Sequence, residues 1–279
     1  MRVGPHPVPS TLSGYALLTG DPPITSNGYR LIPDNDTLQR ELTSLGATDI
    51  FVGRLRLKQA DENLVAYLLE KGVRLFPSGL SQLCCRSKIM QARIFPDHML
   101  PGTRTITDLH ELMAAVNDYQ HSGYTKVVSK KDRVNAGMGI NLWPSIEDVF
   151  NQASMGTLCL PFVIQPFSAN CRDIRVIVLD DYQETYWRDN PNNFRNNLHC
   201  GGKSSPVDLS AEQQELCRKV MQRGKFPYAH IDLMVTPTGE TYLAEINLRG
   251  GIKGARISAN DYRLKIDAIH QRYCRELGL

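Results

Sequence analysis

The chain has 279 residues, 42% of them hydrophobic and 22% charged, with a formal net charge of +3. That length suits two or three closely packed lobes, and the balance of apolar and charged residues excludes a disordered chain. Basic residues are spread rather than massed, so charge alone does not imply nucleic acid, and no apolar run is long enough to span a bilayer.

The N-terminal MRVGPHPVPS is proline-rich and lacks the apolar core of a signal peptide. Seven cysteines occur without a CxxC pair. An odd count in a chain of this length argues against a disulfide framework or a structural zinc site and fits a reducing, cytoplasmic compartment.

In chain order, YALLTG from Tyr15 and TDIFVG from Thr48 read as strands. Between them PDNDTLQRELTSLG supplies capping residues, then Leu38, Leu42 and Leu45 at helical spacing, then Gly46 as a stop. DENLVAYLLEKG repeats the device, with Leu64, Leu68 and Leu69 expected on one face, and VRLFPS follows as a third strand. Strands alternating with helices predict a parallel sheet covered by helices. One helix is expected over SGLSQLCCRSKIMQARIF up to Pro96, and another over TDLHELMAAVNDYQHSG. KVVSK and GINLW flank a glycine-containing loop, a short helix starts at Ser145, and FVIQPF reads as a buried strand. The chain then turns β-rich with RDIRVIVLDD and YQETYWRD, followed by the polar stretch NPNNFRNNLHCGGKSSP. The helix SAEQQELCRKVMQRG leads to AHIDLMVTP and TYLAEINL, joined at TGE as a hairpin, and ANDYRLKIDAIHQRYCREL closes the chain as a helix. The expected division is residues 1–85, 86–160 and 161–279.

Three segments carry chemistry. On TYLAEINL, Glu245 and Asn247 share a face, and the hairpin can bring Asp232 beside them. Two carboxylates and an amide oxygen on rigid strands suit a hard cation such as magnesium. The alternative, solvated strand carboxylates, fits poorly because the flanking residues are apolar and a buried charge needs a partner. In KVVSKKDRVNAGMGINLW, Lys130 precedes a loop with Gly137 and Gly139, where backbone amides could approach phosphate oxygens. Alone, that pattern also describes an ordinary surface hairpin. Arg175 lies on an apolar strand two positions past Asp173, and Arg195 and Asn197 lie in the polar loop; arginine forks suit anionic oxygens. The plain alternative for Arg175 is an ion pair with Asp173. There is no GxGxxG after the first strand, no Walker A pattern and no GxSxG elbow.

The motifs DIRV, NNFRNNLHCGG and D…EIN…GG..G, in this order, resemble the ATP-grasp superfamily, close to its ribosomal-protein glutamate ligase and glutathione synthetase branch. The similarity runs from Ser87 and Lys88 through Gly254, about two-thirds of the chain. It implies the ATP-grasp fold: an α/β domain of βαβ type at the N-terminus and two α+β lobes clasping ATP. By resemblance, Lys88 and Lys130 contact ATP phosphates under the Gly137–Gly139 loop, and Gln165, Pro166 and Phe167 face the adenine edge. Arg175 and Arg195 hold the γ-phosphate and an acyl phosphate. Asp232, Glu245 and Asn247 bind Mg2+ (or Mn2+), with Asn197 helping the metal or phosphate site. Lys131 follows Lys130 where the family often has proline, so either lysine could face the pocket. Cys171 stands where glycine is common. GGIKG replaces the usual proline–glycine ending, so Arg249 and Lys253 could equally grip a substrate carboxylate or be solvated loop charges.

The activity this implies is that of an ATP-dependent carboxylate–amine ligase working through an acyl phosphate, on an amino acid or short peptide. A homo-oligomer is consistent with such enzymes; nucleic acid and membrane are not expected partners. The competing readings are an inactive ATP-binding regulatory module and a phosphotransferase acting on a group other than a carboxylate.

Overall fold

A computed structural model describes residues 28–134, 137–190 and 202–279. The strand expected at Tyr15 lies outside the described residues. Contacts divide the chain into two compact units, residues 1–76 with 266–279, and residues 77–265.

In the first unit, strands β1 (Arg30–Ile32), β2 (Asp49–Val52) and β3 (Arg74–Phe76) form a parallel sheet in that order. Helix α1 (Asn35–Arg40) follows β1, and α2 (Asn63–Glu70) precedes β3. All four residues of β2 are buried, as expected of the central strand of a parallel sheet. Arg30 ties the sheet to the chain around α1 through Asp49 (2.6 Å) and Glu41 (2.7 Å). β1 itself was not anticipated from sequence.

Two expectations fail here. The α1 helix stops at Arg40 instead of continuing to Gly46, because Ser44 returns both its N–H and its hydroxyl to the Glu41 carbonyl, each at 2.9 Å. Such a local side-chain bond competes with the helical ladder. On α2 the buried positions are Val65 and Leu68, while Leu69 is 52% exposed. A stripe spaced i, i+3 is enough for a helix this short, and Leu69 lies one step round from it.

The second unit contains two antiparallel sheets. The first has the order β4 (Arg104–Ile106), β7 (Phe162–Pro166), β5 (Val127–Lys131), β6 (Ile140–Trp143). Helices α5 (Leu109–His121) and α6 (Ile146–Ser154) pack on it, capped by Asp108 and Ser145, and bury Ile106, Leu112, Val116, Val149, Phe162 and Ile164. The second has the order β10 (Lys203–Pro206), β9 (Tyr182–Asp189), β8 (Arg172–Leu179), β11 (Tyr228–Val235), β12 (Thr241–Asn247). Helix α7 (Ala211–Gly224) opens with a reciprocal Ser210–Gln213 capping box and buries Cys217 and Val220. Helix α8 (Ala259–Glu276) begins in this unit, and its residues from Ile266 onward belong to the first.

The single helix expected over residues 78–95 is two, α3 (Gly79–Cys84) and α4 (Lys88–Ile94). The break is enforced from a distance. Asp132, buried at 8% exposure, accepts from the Ile89 N–H (3.2 Å) and the Ser87 hydroxyl (3.0 Å), while Ser87 caps the Met90 N–H. Gln91 of α4 then clamps β12: its amide donates to the Ile246 carbonyl and accepts from the Ile246 N–H, both at 3.0 Å, and it also donates to the Cys84 carbonyl. Through these bonds α4 joins the end of β5 in the first sheet to β12 in the second.

Candidate active site

Strand alternation sorts β8 and β11 into two faces. Ile174, Val176, Ile231 and Leu233 are fully buried, while Asp173, Arg175 and Asp232 point to the opposite, polar side. Strict alternation would spoil this pattern on β12, since Leu243 and Glu245 are two residues apart. The register shifts beside Asp232, so that Leu243 lies opposite Leu233 and Glu245 opposite Asp232. The extra residue, Ala244, sends Leu243 to the apolar side and Glu245 to the polar side.

One cross-strand row therefore reads Tyr186, Arg175, Asp232, Glu245, with Arg188 beside Asp173 and Asn247 beside His230 in the neighbouring rows. Arg175 Nε lies 2.5 Å from Asp232 Oδ1, and Nη2 donates to Oδ2 at 3.2 Å. The shorter contact is ionic rather than hydrogen-bonded, because the N–H points off the oxygen and both atoms lack an aligned partner. Arg188 Nη2 reaches Asp232 Oδ2 at 3.1 Å and Asp173 at 3.7 Å. Burial alone would raise the Asp232 carboxyl, but Arg175 and Arg188 outweigh it and hold the group below the usual range. Burial likewise works against the Arg188 charge, and Asp232 and Asp173 more than offset it.

Helix α4 and strand β5 of the other sheet contribute cations to the same region. Lys88, at the start of α4, places Nζ 3.3 Å from Glu245 Oε1 and donates to the Val134 carbonyl at 2.8 Å. Burial drops the Lys130 ammonium to about 8; Glu245 acts in the opposite direction and Lys88 reinforces the fall. Lys130 is part-buried and Lys131 exposed, so of the two it is Lys130 that feels the carboxylates of the site. Gly137 has φ +75°, and a Cβ on Gly139 would come within 2.8 Å of Val134 Cβ. The glycines thus serve the turn's own geometry as well as any approach by a ligand. Gln165 and Pro166 are buried on β7, opposite Val128 and Val127, and the Phe167 N–H donates to the Lys126 carbonyl at 2.9 Å.

Arg195 and Asn197 lie outside the described residues. Arg249 and Lys253 are exposed on the segment after β12, and the Lys253 carbonyl accepts from the Tyr186 hydroxyl at 3.4 Å. Sequence reasoning missed three residues of the polar face. Arg188 could have been found by pairing YQETYWRD against RDIRVIVL as a hairpin, which sets it opposite Asp173. His230 belongs to the same alternation as Asp232. Glu184, 3% exposed, accepts from the Arg256 N–H (2.5 Å), the Ile257 N–H (3.2 Å) and the Tyr182 hydroxyl (2.6 Å), and so fastens the segment after β12 to this face.

Among the described residues, no three His, Cys, Asp or Glu side chains gather in metal-ligating positions. The donor set available to a cation is instead Asp232, Glu245 and the Asn247 amide. The facing carboxylates of Asp232 and Glu245 are hard oxygen donors of the kind magnesium prefers, with Asp232 already paired to Arg175 and Arg188. The donor types therefore fit such an ion. No described helix is long and apolar enough to cross a membrane.

Comparison with known proteins places this arrangement. Residues 100–269 match the RimK-like ATP-grasp domain. The chain is 33% identical over 85 residues to a coenzyme gamma-F420-2:alpha-L-glutamate ligase of Methanococcus maripaludis, which covers 30% of this chain and 30% of that protein. It is 28% identical over 122 residues to glutathione synthetase of Agrobacterium fabrum, covering 39% of this chain and 38% of that one. The matched parts thus span 30–38% of the length of these curated relatives. A Chryseobacterium gregarium RiPP-associated ATP-grasp ligase, solved with ADP and a leader and core peptide, superposes with a TM-score of 0.56 at 15% identity, over 82% of this chain and 78% of that one. With helix α4 and strand β5 bringing Lys88 and Lys130 to the Asp232–Glu245 row, and a domain match over most of that unit, the chain has the ATP-grasp fold and belongs to the RimK-like ATP-grasp family.

Proposed function

We propose that the protein is an ATP-dependent ligase that joins a carboxylate to an amine, with an amino acid or short peptide among its substrates. The observation that carries this reading is the polar row itself: facing carboxylates Asp232 and Glu245, with Arg175, Arg188, Lys88 and Lys130 around them. Such a row provides for a polyphosphate and its cation and contains no activated nucleophile. Its relatives support the same chemistry by name, as a glutamate ligase and a glutathione synthetase.

In this reading ATP lies between the two sheets, its adenine edge against Gln165, Pro166 and Phe167 and its phosphates near Lys88, Lys130 and the Gly137–Gly139 turn. Magnesium, held by Asp232, Glu245 and Asn247, would offset charge on the phosphates. Arg175 orients the γ-phosphoryl group while a substrate carboxylate oxygen attacks phosphorus and ADP leaves. The amine then attacks the acyl carbon, phosphate departs, and an amide remains. Positioning and electrostatics supply the catalysis. Arg195 and Asn197 are proposed to complete the phosphate site, and Arg249 and Lys253 to meet the substrate carboxylate. A cytoplasmic, homo-oligomeric enzyme is part of the proposal.

The test is phosphate release from ATP and magnesium across a panel of amino acids and short peptides, offered as acid and as amine. Release that requires both partners and disappears in Glu245→Ala supports the ligase. Release that needs no amine points to a phosphotransferase, and magnesium-dependent nucleotide binding without any release points to a regulatory module.

A further inference from the structure

The polar face contains an imidazole that the chemistry above does not use. His230, 1% exposed, sits on β11 between Ile177 of β8 and Asn247 of β12. Its Nδ1 lies 3.1 Å from Arg175 Nη1, and its Nε2 lies 2.9 Å from the Tyr262 hydroxyl in the first turn of α8. A guanidinium has five N–H donors and no acceptor. The Arg175 contact is therefore a hydrogen bond only if Nδ1 presents its lone pair. The ring proton then resides on Nε2 and is donated to Tyr262.

Arg175 is held on three sides. Asp232 takes Nε and Nη2, His230 takes one Nη1 hydrogen, and the Gly251 carbonyl takes the other at 3.3 Å. A carboxylate alone leaves a guanidinium free to rock about the pair; the added contacts at Nη1 fix its plane. Among the described residues Nη2 meets only Asp232, which leaves its second N–H for an anionic oxygen. The backbone is shaped around this lock: a Cβ on Gly250 would lie 2.6 Å from Arg175 Nη1 and 2.7 Å from His230 Nδ1.

We propose that His230, with Tyr262 behind it, is a positioning residue that sets the orientation of the Arg175 guanidinium toward the transferred phosphoryl group. The inference rests on the ATP-dependent reading of this site. It identifies a group that touches neither nucleotide nor metal yet governs how effectively Arg175 acts.

The test pairs two isosteres. In His230→Asn the amide oxygen falls near the place of Nδ1 and can still accept from Arg175; in His230→Gln the amide reaches the place of Nε2 and leaves Arg175 Nη1 without that acceptor. Because an ångström of misplacement can cost about a hundredfold, His230→Gln is expected to lose about ten- to hundredfold in kcat, while His230→Asn stays within about threefold. KM for ATP changes little in either, since the lock acts on orientation and not on ground-state binding. Melting temperatures of the two variants check that fold stability does not follow the same order. A second arm uses the unmodified protein with 15N-labelled histidine: the His230 ring should carry its proton on Nε2 and none on Nδ1. Equal kcat losses in the two variants, or losses confined to KM, overturn the proposal. If the unmodified protein releases no phosphate with any acid and amine, the ligase reading falls, and the tautomer decides the lock alone: a bare Nδ1 supports it and a protonated Nδ1 overturns it.

Discussion

Arg188 offers the most direct test of how the polar face is held together. It is 6% exposed, and its side chain serves Asp232 at 3.1 Å and Asp173 at 3.7 Å. Replacing it with Met keeps much of the stem's packing and removes the charge. Breaking a fully buried ion pair by deleting one partner costs about 3–5 kcal/mol, because the other charge is left uncompensated. That figure is an upper bound here, since Asp232 retains Arg175. Losing one charge-assisted hydrogen bond costs about 1.5–3 kcal/mol, and the longer contact to the part-exposed Asp173 adds at most about 1 kcal/mol. Against this, Arg188 Nε is buried without a hydrogen-bond partner, and Met removes that penalty of about 1–3 kcal/mol. The balance is a loss of about 1 kcal/mol, equivalent to a fall of about 2–4 °C in Tm for a unit of this size.

Thermal unfolding followed by circular dichroism, without nucleotide or divalent ions, measures the loss directly. A double-mutant cycle with Asp232→Asn assigns it: the two residues are in contact, so coupling of about 1–2 kcal/mol is expected. A loss below about 0.5 kcal/mol, or two effects that simply add, would refute the claim that Arg188 holds Asp232 in its ionised state.

Three further outcomes follow from the packing. Gln91→Met should destabilise by about 2–4 kcal/mol, read by denaturant unfolding, because it strips partners from the Ile246 N–H and carbonyl and from the Cys84 carbonyl. Gly139→Ala should disturb the turn before β6, since the new methyl group meets Val134 at 2.8 Å; a cost of about 1–3 kcal/mol and faster local hydrogen exchange are expected, and an unchanged exchange pattern would argue against that clash. Burial would raise the Glu184 carboxyl, but hydrogen bonds from Tyr182, Arg256 and Ile257 prevail and lower it below its ordinary value of 4.5. A carboxyl depressed on folding contributes stability that is complete above its unfolded value and lost as pH falls through the folded one. The advantage of the unmodified protein over Glu184→Gln should therefore be full at neutral pH and shrink below about pH 4.5 in acid unfolding curves.

Local signals made much of this fold legible. Helices capped by Asp108, Ser145 and Ser210 begin where their side chains predict, and the hairpin at TGE joins β11 to β12 as its turn chemistry requires. Features decided at long range were not legible. Nothing within SGLSQLCCRSKIMQARIF announces the break at Ser87, because the acceptor that stabilises it, Asp132, lies 45 residues away. Leu69 satisfies a helical stripe in sequence yet faces solvent, since a two-turn helix needs only Val65 and Leu68 for its core.

The candidate site divides along the same line. Asp232 and Glu245 stand out in the sequence because each interrupts an apolar strand, and a charge placed there needs a partner. What periodicity could not supply was their relation. With strict alternation, Glu245 would share a face with Leu243, and Leu243 is 2% exposed in the apolar layer. Only the extra residue at Ala244 reconciles a buried Leu243 with a carboxylate opposite Asp232. The same register carries Arg188 and His230 onto this face, residues that look unremarkable in YWRD and AHID until four strands are aligned. A chemical row built across a sheet thus places one or two members on each strand, so its composition is written in the sequence while its geometry is written in the pairing.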